Sequence, residues 1–216
     1  MQGRTEQTGV ISATIKGVRL AFRTHPALFS PRYIDPGTLA MLSCVELGAD
    51  EKVLDLGCGY GIVGILIAKL IGPDKVTMAD LDPLAVEYAR INAKLNNVES
   101  VRIIQSDGYD SIDDSGFTAI LVNPPYHTDF SVPKRLIEKG FNRLAMGGRM
   151  TLVVKRRKWY ENKLRAVFGG VRIQEVDGYY VMTSERRSEH WATATRRSAS
   201  RSGRSAPGSE ARQVKP

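Results

Sequence analysis

The chain has 216 residues, of which 42% are hydrophobic and 25% charged, so it can form one globular domain with a buried core. Its longest useful apolar run is Ile62–Ala68, well short of the roughly 20 residues that a membrane helix needs. The N-terminal residues lack the apolar core of a signal peptide. Because the two cysteines, Cys44 and Cys58, do not suggest a disulfide framework, a reducing cytoplasm is the simplest expected setting.

The net charge of +8 is unevenly distributed along the chain. Residues 196–216 contain six Lys and Arg residues and one Glu, which gives +5 and leaves +3 for the rest of the chain. A basic tail on a mildly basic body suggests a polyanionic partner, and improved solubility is the alternative explanation.

The apolar pattern predicts an N-terminal hairpin over Val10–Phe22, followed by a helix that Asp35 caps and that runs to about Leu47. Further on, strands and helices alternate. The predicted strands are 52–56, 75–79, 101–105, 117–122 and 148–154, and the predicted helices are 62–71, 82–96, 133–144 and 159–168. Two closing strands, 171–175 and 179–183, are joined by the turn pair Asp177-Gly178. This order predicts an α/β fold with a doubly wound, mostly parallel seven-stranded sheet and an antiparallel edge strand.

The domain organisation follows from a change in composition. Residues 1–184 are expected to form one domain. From about Glu185 the chain becomes rich in Arg, Ser, Gly, Ala and Pro, a composition that cannot bury enough apolar surface to fold. Residues 185–216 are therefore expected to be a basic, disordered tail.

The stretch Asn123–Tyr126, with the sequence NPPY, directly follows the predicted strand 117–122. The prolines cannot donate to a sheet ladder, so the strand ends in a rigid turn. The carboxamide of Asn123 and the carbonyl of Pro124 are then two acceptors that can take both hydrogens of a planar amine, and Tyr126 offers a flat ring beside them. An ordinary strand-ending Asn-Pro turn is the alternative when this stretch is considered alone.

A glycine loop, Asp55–Gly61 with the sequence DLGCGYG, lies between the first predicted parallel strand and its helix. Gly59–Gly64 also fits the dinucleotide-binding pattern, which is weak evidence by itself. A carboxylate at Asp55 would repel a pyrophosphate and suits a ligand with an ammonium or sulfonium group. The loop therefore favours S-adenosylmethionine over a nicotinamide cofactor.

Two further carboxylates end neighbouring strands. Asp80 is placed to accept both ribose hydroxyls of the cofactor, because Asp82 already fills the role of helix cap. Asp107, after the third parallel strand, is predicted to accept from the adenine amino group, and a turn-forming Asp is nearly as good an explanation.

In combination, these motifs resemble class I S-adenosylmethionine-dependent methyltransferases. Leu28–Ser30, Asp35–Thr38 and Gly178–Val181 further resemble the ribosomal RNA small methyltransferases that modify the guanine 2-amino group. The resemblance covers about Val10 to Ser184 and makes residues 1–184 the expected catalytic domain. Well-known members carry an additional N-terminal domain of similar fold, which we do not expect here. The residues implied to bind the cofactor are Thr38, Asp55, Gly57, Gly59, Gly61, Asp80 and Asp107, and those implied in catalysis are Asn123, Pro124, Pro125 and Tyr126. We expect no metal site.

The resemblance implies methyl transfer to an exocyclic amine of an RNA base, which leaves its stack and is held by Tyr126, alone or with Phe130. His127 is either a base in this reaction or a solvent-facing loop residue. A protein glutamine or an adenine amine is the alternative acceptor, and a non-catalytic RNA-binding module is an alternative from a different class.

A basic run enters the helix that follows the strand 148–154, and it either contacts RNA phosphates or forms a solvated helix face. Its residues are Lys155, Arg156, Arg157 and Lys158. Trp159, Tyr160 and Trp191 are too scattered along the sequence to predict a stacking platform, which favours core or tail anchoring for them.

Overall fold

The N-terminal hairpin expected from the alternating pattern is present in the computed structural model, which describes residues 9–125 and 130–192. Strand β1 (Gly9–Ile15) pairs antiparallel with β2 (Val18–Thr24). Lys16 and Gly17 both have positive φ, as a two-residue hairpin turn requires. This hairpin forms a sheet separate from the main one.

The main sheet confirms the predicted fold class. Its seven strands are β3 (Val53–Leu56), β4 (Val76–Asp80), β5 (Arg102–Gln105), β6 (Phe117–Val122), β7 (Leu144–Val154), β8 (Arg172–Val176) and β9 (Tyr179–Glu185). They lie in the order β5-β4-β3-β6-β7-β9-β8, and β3 to β7 are mutually parallel. The antiparallel strand of the closing hairpin is β9, which lies one place inside the edge strand β8. Since β9 has the more buried side chains, it takes the inner position.

Five helices cover the two faces of the sheet: α1 (Pro36–Cys44), α2 (Ile62–Ile71), α3 (Pro83–Leu95), α4 (Ser131–Arg143) and α5 (Arg157–Phe168). One core packs α1, α2, α3 and the hairpin against the sheet, and a second packs α4 and α5 against the opposite face. Asp35 and Asp82 cap α1 and α3 as predicted. Helix α1 ends before Leu47 because Val45 adopts an extended conformation. No helix in the described ranges is both long enough and apolar enough to span a bilayer.

Two buried asparagines of α3 attach the hairpin to the rest of the molecule. Asn92 accepts from the amide of Arg23 (2.7 Å), and it donates to the carbonyls of Arg23 (3.0 Å) and Tyr60 (2.9 Å). Asn96 makes the equivalent pair of hydrogen bonds with the backbone of Ala21 (3.1 and 2.8 Å). The two side chains therefore take the place of a strand along the edge of β2, and Asn92 also ties the hairpin to the glycine loop.

The folded part of the chain continues past residue 184, where the sequence suggested a boundary. Strand β9 ends at Glu185, and Arg186 still exchanges backbone hydrogen bonds with Gly147 and Gly148 (both 2.8 Å). Trp191 packs against the second core. Pairing with β7 thus extends to Arg186, and the division into a catalytic domain and a basic tail stays a prediction. Most of the predicted tail, from residue 193, lies outside the described residues.

Candidate active site

Two adjoining cavities open at the carboxyl edge of the parallel strands, where ligands bind in open α/β sheets. The larger has a volume of about 290 Å³, and its walls include Asp80, Asp107 and Pro124. The smaller has a volume of about 60 Å³ and is lined in part by Asp55 and Thr38. Four residues border both cavities: Phe29, Gly57, Gly59 and Asn123. The topology thus brings most of the predicted site residues to one place.

The glycine loop presents its backbone to these cavities. Gly57, Gly59 and Gly61 all have positive φ, which other residues adopt only at a cost. The amides of Gly57 and Cys58 donate to the carbonyl of Ala79 (2.8 and 3.0 Å), which anchors the loop to the end of β4. A Cβ atom added at Gly57 or Gly59 would meet no atom within 4 Å, so the space in front of these two glycines is open to a ligand.

Asp55 is a buried carboxylate on the wall of the smaller cavity. Its Oδ2 accepts from the amide of Gly64 (2.8 Å), and no Lys or Arg of the described ranges forms an ion pair with it. Burial raises the pKa of Asp55 to about 7, and the nearby Asp80 carboxylate adds to this rise, whereas the Gly64 hydrogen bond opposes it. A cationic ligand in the cavity would favour the ionised form.

Asp80 and Asp107 both line the larger cavity, but they differ in their partners. The Asp80 carboxylate accepts from the amides of Gly59 (2.7 Å) and Asp82 (3.0 Å), and burial raises its pKa. Asp107 is exposed and forms an ion pair with Arg135 of α4. The sequence did not indicate Arg135, which also borders the cavity, since this contact joins residues 28 positions apart.

The side chain of Asn123 is held by the first turn of α1. Its Nδ2 donates to Asp35 Oδ2 (2.9 Å) and to Thr38 Oγ1 (3.0 Å), and both partners are buried. Asp35 Oδ2 also accepts from the amide of Thr38 (2.8 Å), which fixes the carboxylate. Because the two contacts require the NH2 group of Asn123, its oxygen Oδ1 is directed away from α1.

This network gives Thr38 and Asp35 roles that sequence reasoning missed. Thr38 lines the smaller cavity, in keeping with a place near the cofactor, but its hydroxyl group contacts Asn123 and Asp35. In the sequence, Asp35 was recognised as a helix cap and as part of a motif that carries the resemblance, but not as a partner of Asn123. Its three-residue spacing from Thr38 is typical of a cap, and nothing in the sequence connected it to a residue 88 positions away.

The remaining predicted catalytic residues are only partly described. Pro124 and Pro125 line the larger cavity. Tyr126 and His127 lie outside the described residues, so their predicted roles are untested. Phe29 belongs to the motif Leu28–Ser30, and the sequence did not predict it as a site residue. In the structure it borders both cavities, and 58% of its surface is exposed.

The three aromatic residues Trp159, Tyr160 and Trp191 were expected to anchor the core or the tail. All three belong with or pack against the second core, in agreement with that expectation. The sequence did not indicate that Trp159 makes a further contact with a residue of another element. Its ring stacks on that of Phe130, with 4.5 Å between centroids and 23° between planes. Residues 29 positions apart meet here because α4 and α5 begin at the same edge of the sheet.

Comparison with known families supports the interpretation of this site as a methyltransferase site. Residues 19–183 match the family described as "Methyltransferase small domain". The chain belongs to this family. One relative of this chain is a ribosomal RNA small subunit methyltransferase C from Hamiltonella defensa, which is 32% identical over 159 residues. That alignment covers 72% of this chain and 46% of the relative. The resemblance inferred from the motifs is thereby confirmed.

Other matches extend the family relationship over most of the chain. An uncharacterized protein of Bacillus subtilis, YbxB, is 28% identical over 181 residues, which cover 81% of this chain and 90% of that protein. The structure of a Thermus thermophilus 16S rRNA N2-guanine methyltransferase in complex with AdoMet and guanosine superposes with a TM-score of 0.75 at 27% identity. The superposition covers 83% of this chain and 51% of the Thermus thermophilus protein. This family member thus spans about half the length of the ribosomal RNA methyltransferases that it matches.

Proposed function

We propose that this protein transfers a methyl group from S-adenosylmethionine to an exocyclic amine of a base in RNA, with guanine N2 of ribosomal RNA as the acceptor. The orientation of the Asn123 amide is the observation that carries the proposal. Asn123 borders both cavities, and because its Nδ2 binds Asp35 and Thr38, the atom that it would offer to a substrate there as an acceptor is Oδ1. An acceptor in this position suits an NH2 group that must be aimed at a methyl donor.

The walls of the cavities support the assignment of the cofactor. The unpaired carboxylate of Asp55 beside the glycine loop suits the positively charged methionine end, and Asp80 faces the larger cavity, where it would accept from the ribose hydroxyls. Asp107 would accept from the adenine amino group with the carboxylate oxygen that does not bind Arg135. Gly57, Gly59 and Gly61 would allow close approach of the ligand to the backbone, and residues 1–184 would supply the catalytic domain.

The proposed chemistry needs little more than positioning. Asn123 Oδ1 and the Pro124 carbonyl would accept the two amine hydrogens, so that the nitrogen lone pair faces the methyl group. The N–CH3 bond forms as the S–CH3 bond breaks in line, the sulfonium becomes a neutral thioether, and the nitrogen then loses a proton to water. Such positioning contributes roughly 7–11 kcal/mol when the reacting atoms are well aligned. Tyr126 would hold the base by stacking.

Ribosomal RNA is preferred as the acceptor because relatives that match this chain are named for that activity. A protein glutamine or an adenine amine fits the same amide geometry, and product analysis separates these acceptors. A non-catalytic RNA-binding module is disfavoured, since Asp55, Asp80 and Asn123 all border the cavities. The basic run from Lys155 to Lys158 and the basic tail are proposed phosphate contacts.

The test is incubation of the purified protein with S-adenosylmethionine labelled on its methyl group and with ribosomal RNA, DNA or protein from cells, followed by identification of the labelled product. We expect label in N2-methylguanosine of RNA. Label in glutamine or methyladenine would replace the proposed acceptor, and absence of transfer in a protein that binds S-adenosylhomocysteine would contradict the catalytic proposal.

A substitution tests the role of the amide. Asn123→Ala is expected to abolish turnover and to leave the affinity for S-adenosylhomocysteine near that of the wild type, because it removes a contact with the acceptor. Turnover within about tenfold of wild type, equivalent to roughly 1.4 kcal/mol, would rule out the amine-clamping mechanism.

A further inference from the structure

A second aromatic and basic surface lies beside the proposed acceptor site. Phe130 is 41% exposed although its ring stacks on Trp159, so one side of the stacked pair faces solvent. Trp159 in turn packs against the second core and meets Tyr160 edge to face (5.0 Å between centroids). The two rings therefore present a flat apolar surface to solvent, and packing of Trp159 against the core holds this surface in place.

The four residues of the basic run are not equivalent in the structure. Arg157 binds Glu161 (2.8 Å) and lies 5.9 Å from the ring centre of Tyr180, and Lys155 lies over the ring of Tyr179 (5.0 Å). Arg156 and Lys158 are both exposed, and neither forms an ion pair with an acidic residue of the described ranges. These two cations flank the start of α5, directly before Trp159.

The topology places this surface next to Asn123. Strands β6 and β7 are neighbours, with Val122 opposite Leu152, so the segments that follow them emerge side by side. Helix α4, which begins immediately after Phe130, lines the larger cavity with Val132 and Leu136. Phe130 thus lies two residues before Val132, which is part of the cavity wall.

We infer that Phe130, Trp159, Arg156 and Lys158 form a binding surface, here called the strand platform, for the nucleotide adjacent to the acceptor base in single-stranded RNA. The exposed ring of Phe130 would stack on that neighbouring base, and Arg156 and Lys158 would contact the flanking phosphates. Base stacking on aromatic rings is tolerant of sequence, and phosphate contacts fix the position of a strand. The inference rests on the proposed function, because an acceptor base out of its stack leaves a neighbour that is also unstacked.

The positive charge of Arg156 and Lys158 favours a nucleic acid over a peptide on this surface. Arg156 and Lys158 form no ion pair within the part of the chain that the structure describes, and together with an exposed aromatic ring they match the alternation of phosphates and bases in a single strand. A duplex offers no free base face to Phe130. The strand platform therefore predicts a preference for single-stranded over double-stranded RNA.

Tryptophan fluorescence provides a direct test, since the chain contains two tryptophans. In a Trp191→Phe protein, Trp159 is the sole tryptophan. Titration with a 12-nucleotide oligouridylate, which has no guanine for the acceptor site, is expected to quench its emission. Adding the substitution Phe130→Ala is expected to raise the dissociation constant by about fivefold or more. Leu70→Ala removes a comparably exposed apolar side chain in the last turn of α2 and should leave the affinity unchanged.

A charge substitution tests the phosphate contacts in the same background. Changing Arg156 and Lys158 to Gln should reduce the slope of log affinity against log salt by about 1.4, because each phosphate contact on a single strand contributes about 0.7. Lys69 and Lys94 lie exposed in the last turns of α2 and α3. Changing both of these residues to Gln should leave the slope unchanged. Circular dichroism verifies that each variant is folded.

The outcomes separate the strand platform from the proposed function. Methylated RNA together with unchanged oligouridylate affinity in the Phe130 and Arg156/Lys158 variants would overturn the strand platform alone. If the wild-type protein bound no RNA at low salt and methylated none, both proposals would fail. If both hold, the platform variants should raise KM for RNA and retain kcat at saturating RNA.

Discussion

At the scale of single residues, the burial of Asp55 makes the stability of the protein depend on pH. Its pKa rises from 3.8 to about 7 in the folded, ligand-free protein because the carboxyl group is buried. The folded state thus holds this proton more tightly than the unfolded chain does. Since stability falls with pH wherever the folded state binds more protons, Asp55 lowers the free energy of unfolding progressively between about pH 4 and pH 7.

Asp55→Asn should therefore stabilise the ligand-free protein at pH 8, by at most about 4 kcal/mol, and change it little at pH 4. The amide oxygen of Asn can still accept from Gly64. Urea unfolding at both pH values checks this expectation, and equal destabilisation at pH 4 and pH 8 would contradict it. The same variant should bind S-adenosylhomocysteine more weakly, because the carboxylate that suits its ammonium group is lost.

The site was predictable where a residue follows from its position at the end of a strand, and not where it depends on contacts between distant elements. Asp55, Asp80 and Asn123 lie at or within one residue of the carboxyl ends of parallel strands, so the alternation of strands and helices was enough to bring them to one edge. The contact of Asp35 with Asn123, and that of Arg135 with Asp107, join different elements. Patterns within a short stretch of sequence cannot predict contacts between residues so far apart in the chain.

At the scale of elements, Asn92 connects the hairpin to the glycine loop through side-chain hydrogen bonds. Asn92→Ala removes three hydrogen bonds and leaves backbone groups of Arg23 and Tyr60 without their partner, so we expect a loss of roughly 3–5 kcal/mol in the free energy of unfolding. Denaturant unfolding measures this loss.

Asn96→Ala is the matched control for this effect, because Asn96 contacts the hairpin and its own helix but not the glycine loop. Both variants should be destabilised, whereas the affinity for S-adenosylhomocysteine should fall further in Asn92→Ala. Equal cofactor affinities in the two variants would show that the Tyr60 contact does not position the loop.

The elements themselves were largely predictable, and their arrangement was less so. The caps at Asp35 and Asp82 mark helix starts because a side-chain acceptor and a following proline act locally. The two-residue turn at Asp177 and Gly178 likewise predicts a hairpin. Which of its strands pairs with β7 depends on packing against the two cores, so the inner position of β9 required the structure.

At the scale of the whole molecule, residues 196–216 carry +5 of the net charge of +8. They lie outside the described residues, and we keep the prediction that they provide an electrostatic contact for RNA. Deleting them should weaken RNA binding and flatten its salt dependence, because each phosphate contact contributes about 0.7 to the slope. Salt titrations of full-length and truncated protein measure both quantities.

Cofactor affinity and methyl transfer at saturating RNA should survive this deletion, since no proposed site residue lies in the tail. Equal RNA affinities and equal slopes for the two proteins would instead favour a role in solubility.

Asp35 caps the first turn of α1 and also holds the amide of Asn123. Helix ends open more easily than the body of a fold, so warming should loosen this turn before the sheet melts. The proposed methyl-transfer activity would then be lost reversibly at temperatures where the circular dichroism is still native, and it would return on cooling. An inactivation curve that coincides with the melting curve would contradict this. The working temperature range of the protein would thus be set by the first turn of α1.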